Sequence, residues 1–241
     1  MIHRHVFLLK GHKLQVIEAS TARRQALRHV GEIALASAAV AGGMPLMALA
    51  QAYLPTPRQT EGPFYPVKLP ADHDSDLVNV KGANGMAKGE VTHLSGRILD
   101  AQGRPLQGVR VEIWQADANG RYHHPGDRSG ADADPNFQGF GHFVTGADGS
   151  YAFRTIKPVP YPGRAPHIHF KLRGANFPEF VTQLYVAGHP GNDRDGLLTS
   201  IPQGPRRSSL LANFLPIKAP SGVTEFSARF EIVLGVTPKQ A

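Results

Sequence analysis

The chain of 241 residues contains no cysteine, which excludes disulfides and thiolate metal sites and leaves the redox compartment unreadable from thiols. Acidic residues are missing from one long stretch. Between Gly149 and Pro178 there is no Asp or Glu, although Arg154, Lys157, Arg164, Lys171 and Arg173 are present. A metal bound there lacks the carboxylate of the two-histidine ferrous triad. Helical periodicity is scarce too: only Arg206 to Leu215 carries an apolar 3.6-residue period, and it is read as a short helix or turn. There is no internal repeat and no low-complexity segment. Basic residues outnumber acidic ones, 26 to 19, but form no stripe of the kind that grips a phosphate backbone, so no nucleic-acid partner is expected.

Residues 1–52 do not read as fold. A basic lead is followed by Thr21-Ala22-Arg23-Arg24-Gln25-Ala26-Leu27, an Ala/Gly/Val stretch from Ile33, and the small-residue ending Ala48-Leu49-Ala50-Gln51-Ala52. This order predicts a twin-arginine export signal and a periplasmic or extracellular protein that crosses the membrane already folded. Glu32, Pro45 and the richness in Ala and Gly make the apolar stretch a poor lipid-facing helix, so no stable span is expected after cleavage. Cleavage near Ala50 removes Arg4, Lys10, Lys13, Arg23, Arg24 and Arg28 along with Glu18 and Glu32, so the formal charge of +7 falls to +3.

The remaining residues suffice for one domain with a real core. Strands are predicted at Val91 to Leu99, Val109 to Trp114, Gly141 to Thr145, Tyr151 to Arg154, His167 to Arg173, Val181 to Val186 and Phe226 to Leu234. The turn Asp100-Ala101-Gln102-Gly103-Arg104-Pro105 reads as joining the first two into a hairpin, with Val109, Val111 and Ile113 inward against Arg110, Glu112 and Trp114. Short strands punctuated by turns predict an all-β fold, an antiparallel β-sandwich over 91–241 with long functional loops. Residues 53–90 read as an irregular N-terminal arm.

The most informative stretch is Pro160 to Phe170, PYPGRAPHIHF. Alternate side chains of a strand share a face, so His167 and His169 lie on one side and Ile168, Phe170 and Leu172 on the other. One face packs and the other can coordinate. Tyr161 precedes this pair, and Gly120-Arg121-Tyr122-His123-His124 puts a second tyrosine in the loop after Trp114. Two phenols and two imidazoles make four N and O donors. Phenolate is a hard, strongly donating ligand, which favours a ferric ion. With two phenolates and a hydroxide that ion is neutral and suits a partly dry pocket. Nearby Arg and Lys are expected to favour phenolate over phenol. His123, His124, His142 and His189 read as hydrogen-bonding loop residues, and Trp114 as a packing residue.

The runs TEGPFYP at Thr60 to Pro66, GRILDAQGRPLQGVRVEIWQADANGRYHH at Gly96 to His124, DPNFQGFGHFVTGADGSYAFRTIKPVPYP at Asp134 to Pro162, RAPHIHF at Arg164 to Phe170 and TQLYVAG at Thr182 to Gly188 together resemble the intradiol ring-cleavage dioxygenases. Both the protocatechuate 3,4-dioxygenase beta-subunit-like and the catechol dioxygenase-like members are similar. The resemblance runs from Thr60 to Leu234. It implies a β-sandwich enzyme with non-haem Fe(III) held by Tyr122, Tyr161, His167 and His169, of which Tyr161 and His169 are axial. It implies a small catecholic substrate cleaved by O2 between its two hydroxylated carbons, giving a cis,cis-muconate-type product. Tyr161 would leave the metal as the catechol chelates, Arg164 would stabilise charge developing on the ring, and Gln183 would sit near Arg164 and the metal hydroxide. Only Pro162 to Pro166 separate Tyr161 from His167, so the mouth is expected to be open and lined by Arg164 and lysines. A homo-oligomer is left open.

Two other classes are weighed. A transthyretin-like binding sandwich accounts for the turn motif of Gly96 to Gly108, but not for two tyrosines with an H-x-H. A zinc hydrolase built on the same histidines would want a carboxylate as ligand or base. Colour separates them, because ferric phenolate absorbs visible light.

Overall fold

The computed structural model describes residues 53–238; the export signal expected in residues 1–52 lies outside the described residues. Among the described residues no helix is long and apolar enough to cross a membrane. In chain order the strands are β1 (Val91–Leu99), β2 (Arg110–Trp114), β3 (Phe140–Val144), β4 (Ser150–Ile156), β5 (His167–Gly174), β6 (Phe177–Val186), β7 (Leu211–Ala212), β8 (Phe214–Lys218), β9 (Thr224–Arg229) and β10 (Ile232–Val233). One-turn helices α1 (Gly196–Thr199) and α2 (Pro205–Ser208) lie between β6 and β7.

β1 shows the alternation its sequence demands, with Thr92, Leu94, Gly96 and Ile98 buried and His93, Ser95 and Arg97 exposed. It is the spine of the first sheet: β4 pairs antiparallel with it, β9 and β10 run parallel to it, and β8 lies outside β9. The second sheet has the order β3-β2-β5-β6-β7. Leu94, Ile98, Phe153 and Ile156 of the first sheet pack with Val111, Ile113, Ile168, Phe170 and Leu172 of the second in one core. Each such side chain contributes roughly 1.5–3 kcal/mol of transfer free energy. The all-β sandwich is therefore as predicted. Its parallel pairs each join a late strand to an earlier one, β7 to β6 and β9 and β10 to β1, across the long connections such pairs need.

The predicted hairpin of β1 with β2 does not form. The turn closes only as far as Leu99 opposite Pro105, with Leu106 N–H donating to Ile98 O (2.9 Å). The chain then crosses to the other sheet, since β1 already has β4 on one edge and β9 and β10 on the other. Arg206 to Leu215 is helical only through Ser208; from Leu211 it is strand, with Leu210 and Ala212 buried at a two-residue spacing. Phe226 to Leu234 is broken at Phe230, where the Tyr151 hydroxyl donates to Phe230 O (2.5 Å) and a Cβ on Gly96 would overlap that oxygen.

The outer face of the second sheet is polar in sequence yet buried. Glu112 is fully buried and Lys171 nearly so, because part of the 53–90 arm lies over them. Gln59 N–H donates to Val181 O (2.9 Å), Tyr65 Oη donates to Glu112 Oε2 (2.9 Å), Glu61 pairs with Lys171, and Lys171 Nζ sits 3.5 Å from the Tyr65 ring centroid. Charges buried this way are tolerated because each has a partner.

Candidate metal centre

Under that arm the strand register sets Trp114, His169 and Gln183 in one row and His167 opposite Tyr185. The loop after β2 is bent by Asp117, whose Oδ1 accepts from Asn119 N and Arg121 N, with Gly120 at a φ of 74°. Tyr122 follows; Asp127 accepts its backbone N–H (2.7 Å) and Phe64 stacks on its ring, centroids 4.7 Å apart. Tyr161 is presented by a tight turn that Arg164 N–H closes onto Tyr161 O (2.9 Å).

The four predicted donors converge. His167 Nε2 is 3.1 Å from His169 Nε2, 3.2 Å from Tyr122 Oη and 3.5 Å from Tyr161 Oη, and Tyr122 Oη is 3.1 Å from His169 Nε2. His167 Nδ1 lies 2.7 Å from Ala165 O, which can only accept, so the proton is on Nδ1 and Nε2 turns a lone pair to the centre. Nδ1 of His169 is buried with no partner among the described residues. Hydrogen bonds satisfy such a cluster only if His169 donates from Nε2 to Tyr122 Oη and Tyr122 donates to His167 Nε2, which leaves the buried His169 Nδ1 lone pair without a donor. A cation at the common point uses all four lone pairs, so the residues fit a metal of the kind that phenols and imidazoles hold. Among the described residues no group of three His, Cys, Asp or Glu is placed to bind one.

Burial pushes the Tyr122 phenol well above its ordinary pKa, with Tyr161 adding to the effect. It also raises Tyr161, although Arg164 pulls the other way. Burial thus outweighs the neighbouring cation, although Arg164 does pull both phenols toward phenolate as expected. Phenolate here needs a cation bound directly to it.

Arg164 is no loop cation lining an open mouth. Its Nε donates to Asp195 Oδ2 (2.9 Å), Nη2 to Gln183 Oε1 (2.6 Å) and Tyr185 Oη (3.3 Å), and Nη1 to Tyr161 Oη (3.4 Å). Asp195 is buried, caps α1 by accepting from Leu197 N and Leu198 N, and also accepts from Ala165 N (2.9 Å). Gln183 gives its Nε2–H to Thr60 O (3.0 Å), and Tyr185 its hydroxyl proton to Gln59 Oε1 or Gln183 Oε1, both at 3.0 Å. Sequence reasoning missed Asp195, Tyr185 and Gln59. The one local signal was an Asp directly before Gly196-Leu197-Leu198, a helix-cap pattern. Of the four histidines expected to be hydrogen-bonding loop residues, His124 and His189 are, accepting from Gly126 N and Gly191 N (3.0 Å each); His142 hydrogen-bonds, its Nδ1 donating to His73 O (2.7 Å), but lies in β3, and His123 Nε2 comes no nearer than 3.9 Å to Asp117 Oδ2.

Burial, reinforced by Arg164, pushes the His167 pKa down to about 3, and burial with His167 beside it holds His169 well below 6.5. These folded values lie below the unfolded one, so the unfolded chain takes up the protons first. The stability that depends on neutral rings is intact above about pH 6.5 and is lost as pH falls toward about 3. Metal-free protein should therefore show a thermal midpoint that drops between about pH 7 and pH 5, each group costing up to about 1.4 kcal/mol per pH unit. A midpoint flat across that window, followed by circular dichroism, contradicts neutral buried rings.

Fold and site define a class: a β-sandwich protein with a buried cluster of two phenols and two imidazoles beside a fixed guanidinium. A family model described as "Dioxygenase" matches residues 60–235. The chain is 43% identical over 153 residues to the protocatechuate 3,4-dioxygenase beta chain of Burkholderia cepacia, covering 60% of this chain and 64% of that one. It is 33% identical over 133 residues to the hydroxyquinol 1,2-dioxygenase of Nocardioides simplex, covering 47% and 43%. The match thus spans less than two-thirds of either relative's length. The dioxygenase domain of a dioxygenase carbohydrate-binding protein fusion from Streptomyces sp. SirexAA-E superimposes with a TM-score of 0.57 at 36% identity, covering 76% of this chain and 99% of that one. The chain belongs to the intradiol ring-cleavage dioxygenase family.

Proposed function

We propose that the protein is a non-haem ferric enzyme that cleaves a catecholic ring between its two hydroxylated carbons, placing both atoms of O2 in a cis,cis-muconate-type product. The observation that carries this reading is the convergence of Tyr122, Tyr161 and His169 on His167 Nε2 at 3.1–3.5 Å, with Arg164 against Tyr161. The relatives are dioxygenases by name, which favours it over a transthyretin-like binding module or a zinc hydrolase.

Tyr122, Tyr161, His167 and His169 would hold a ferric ion, which would supply Lewis-acid activation of a catecholic substrate toward O2. The chain's side chains do the rest. Tyr122, buried under Phe64, is the fixed phenol. Tyr161 is only partly buried and would be the phenol whose oxygen accepts a proton from the substrate hydroxyl. Arg164 Nη1 stabilises negative charge first on that oxygen and then on the activated ring. Gln183, its amide committed to Arg164, Tyr185 and Thr60, acts by positioning the guanidinium.

Iron-loaded protein should be burgundy to red and consume O2 with catechols; Tyr161→Phe should shift the visible band and His167→Ala should abolish it. Colourless protein with stoichiometric iron would sink the assignment. In the same reading residues 1–52 direct the folded enzyme to the periplasm or beyond, supported by the order of Arg23-Arg24, apolar stretch and small-residue ending. Replacing Arg23-Arg24 with Lys-Lys should leave active precursor in the cytoplasm, and normal export of that variant would contradict the twin-arginine route.

A further inference from the structure

Arg164 stands in a closed ring of hydrogen bonds drawn from four parts of the fold. Its Nε donates to Asp195 Oδ2 (2.9 Å), Asp195 Oδ1 accepts from Leu197 N (3.0 Å), Leu197 O accepts from Gln59 Nε2 (3.2 Å), Gln59 Oε1 lies 3.0 Å from Tyr185 Oη, and Tyr185 Oη accepts from Arg164 Nη2 (3.3 Å). The ring has a direction. Leu197 O can only accept, which fixes the Gln59 amide with its nitrogen toward α1 and its oxygen toward Tyr185. Gln183 Oε1 already takes the short bond from Arg164 Nη2 (2.6 Å), whereas Gln59 Oε1 has no donor but Tyr185 among the described residues, so the tyrosine hydroxyl points to Gln59.

We propose that Gln59 is a positioning residue, which closes this ring from the arm and so aims the Arg164 guanidinium at the Tyr161 oxygen. A guanidinium is planar. With Nε held by Asp195 and the two Nη2 protons taken by Gln183 and Tyr185, the direction of Nη1 is settled, and it lies 3.4 Å from Tyr161 Oη. Without the Gln59 amide, the Tyr185 hydroxyl keeps Gln183 Oε1 as its acceptor, also at 3.0 Å. There it competes with Arg164 Nη2 for the same oxygen, and the guanidinium loosens.

The side chain is not needed to fasten the arm. Thr56 N–H donates to Val233 O (3.0 Å), Thr182 Oγ1 to Pro57 O (2.7 Å), Gln59 N–H to Val181 O (2.9 Å) and Gln183 Nε2 to Thr60 O (3.0 Å), so the backbone on both sides of Gln59 is already tied down. The two ends of its amide serve Leu197 and Tyr185. Losing them should therefore disturb the guanidinium more than the fold. The consequence for turnover rests on Tyr161 and Arg164 acting as proposed above; the ring itself does not.

In the iron-loaded full chain, Gln59→Met, close in volume but without the amide, should lower kcat with a simple catechol about three- to tenfold at little-changed KM. It should also move the visible band at unchanged iron content and leave the urea unfolding midpoint near that of the wild type. Its crystal structure should show Arg164 Nη1 turned away from Tyr161 Oη. Tyr185→Phe opens the ring at the next joint and should lower kcat at least as much; adding Gln59→Met to it should cost nothing more, because the two act as one unit. Wild-type kcat in either single variant overturns the positioning role. So does a loss in Gln59→Met that adds in full to that of Tyr185→Phe, or one that leaves Arg164 in place. A wild type that turns over no catechol would instead overturn the proposed reaction, and the crystal structures then decide the ring: Arg164 unmoved in Gln59→Met overturns it.

Discussion

Arg164→Lys should lower kcat by about tenfold or more while changing KM far less. The reason is geometric. All three guanidinium nitrogens are engaged, with Asp195, with Gln183 and Tyr185, and with the Tyr161 oxygen. A lysine keeps the charge but not the planar fork, so an ammonium held by buried Asp195 is drawn away from Tyr161. Charge developing on the phenol oxygen or the ring would then meet no fixed donor, which affects the transition state more than the bound substrate. Steady-state O2 consumption with a simple catechol decides the matter: equal kcat in the variant would make Arg164 a structural residue, and an equal rise in KM alone would make it a binding one.

The largest loss of stability is expected at Asp195. Asp195→Ala should destabilise the fold by about 3–5 kcal/mol, because it leaves the Arg164 guanidinium paired with no charge. It also strips an acceptor from Ala165 N and from two N–H groups at the start of α1. Burial alone would raise the Asp195 carboxyl pKa, but donation from Leu198 N, Ala165 N and Arg164 outweighs it and holds the value below the ordinary one. The charged form is thus the one the fold needs, and that contribution is lost in acid as the group protonates. Asp195→Asn keeps an acceptor oxygen and should cost less in urea unfolding, yet reproduce much of the kcat loss of Arg164→Lys. An unfolding midpoint unchanged in Asp195→Ala would refute the account.

Strand positions were legible because alternation is a local property, and β1 was read to the residue. Pairing is not local. The partners of β1 lie fifty and more residues downstream, and nothing in the turn at Asp100 to Pro105 announces that the next strand joins another sheet. The donors were legible for the same reason as the strands: a two-residue spacing puts His167 and His169 on one face whatever surrounds them. The state of the phenols was not. Counting nearby cations gave the right direction for Arg164 but missed the larger effect, burial, which leaves no mark in a motif. Glu112 and Lys171 misled similarly, as polar residues signal an outward face without saying that another segment covers it.

The covering arm also fixes when the centre can exist. Gln59 reaches Tyr185 across 126 positions and Thr60 reaches Gln183 across 123, so loop closure on that scale must be paid before the network around Arg164 is complete. Contacts of such separation form late, after the local ladders of both sheets. A nascent chain would hold the first of the proposed ligands, Tyr122, long before the strand bearing Gln183 and Tyr185 had been synthesised. Competence to hold metal is then a property of the finished topology, and a half-folded chain presents only scattered donors.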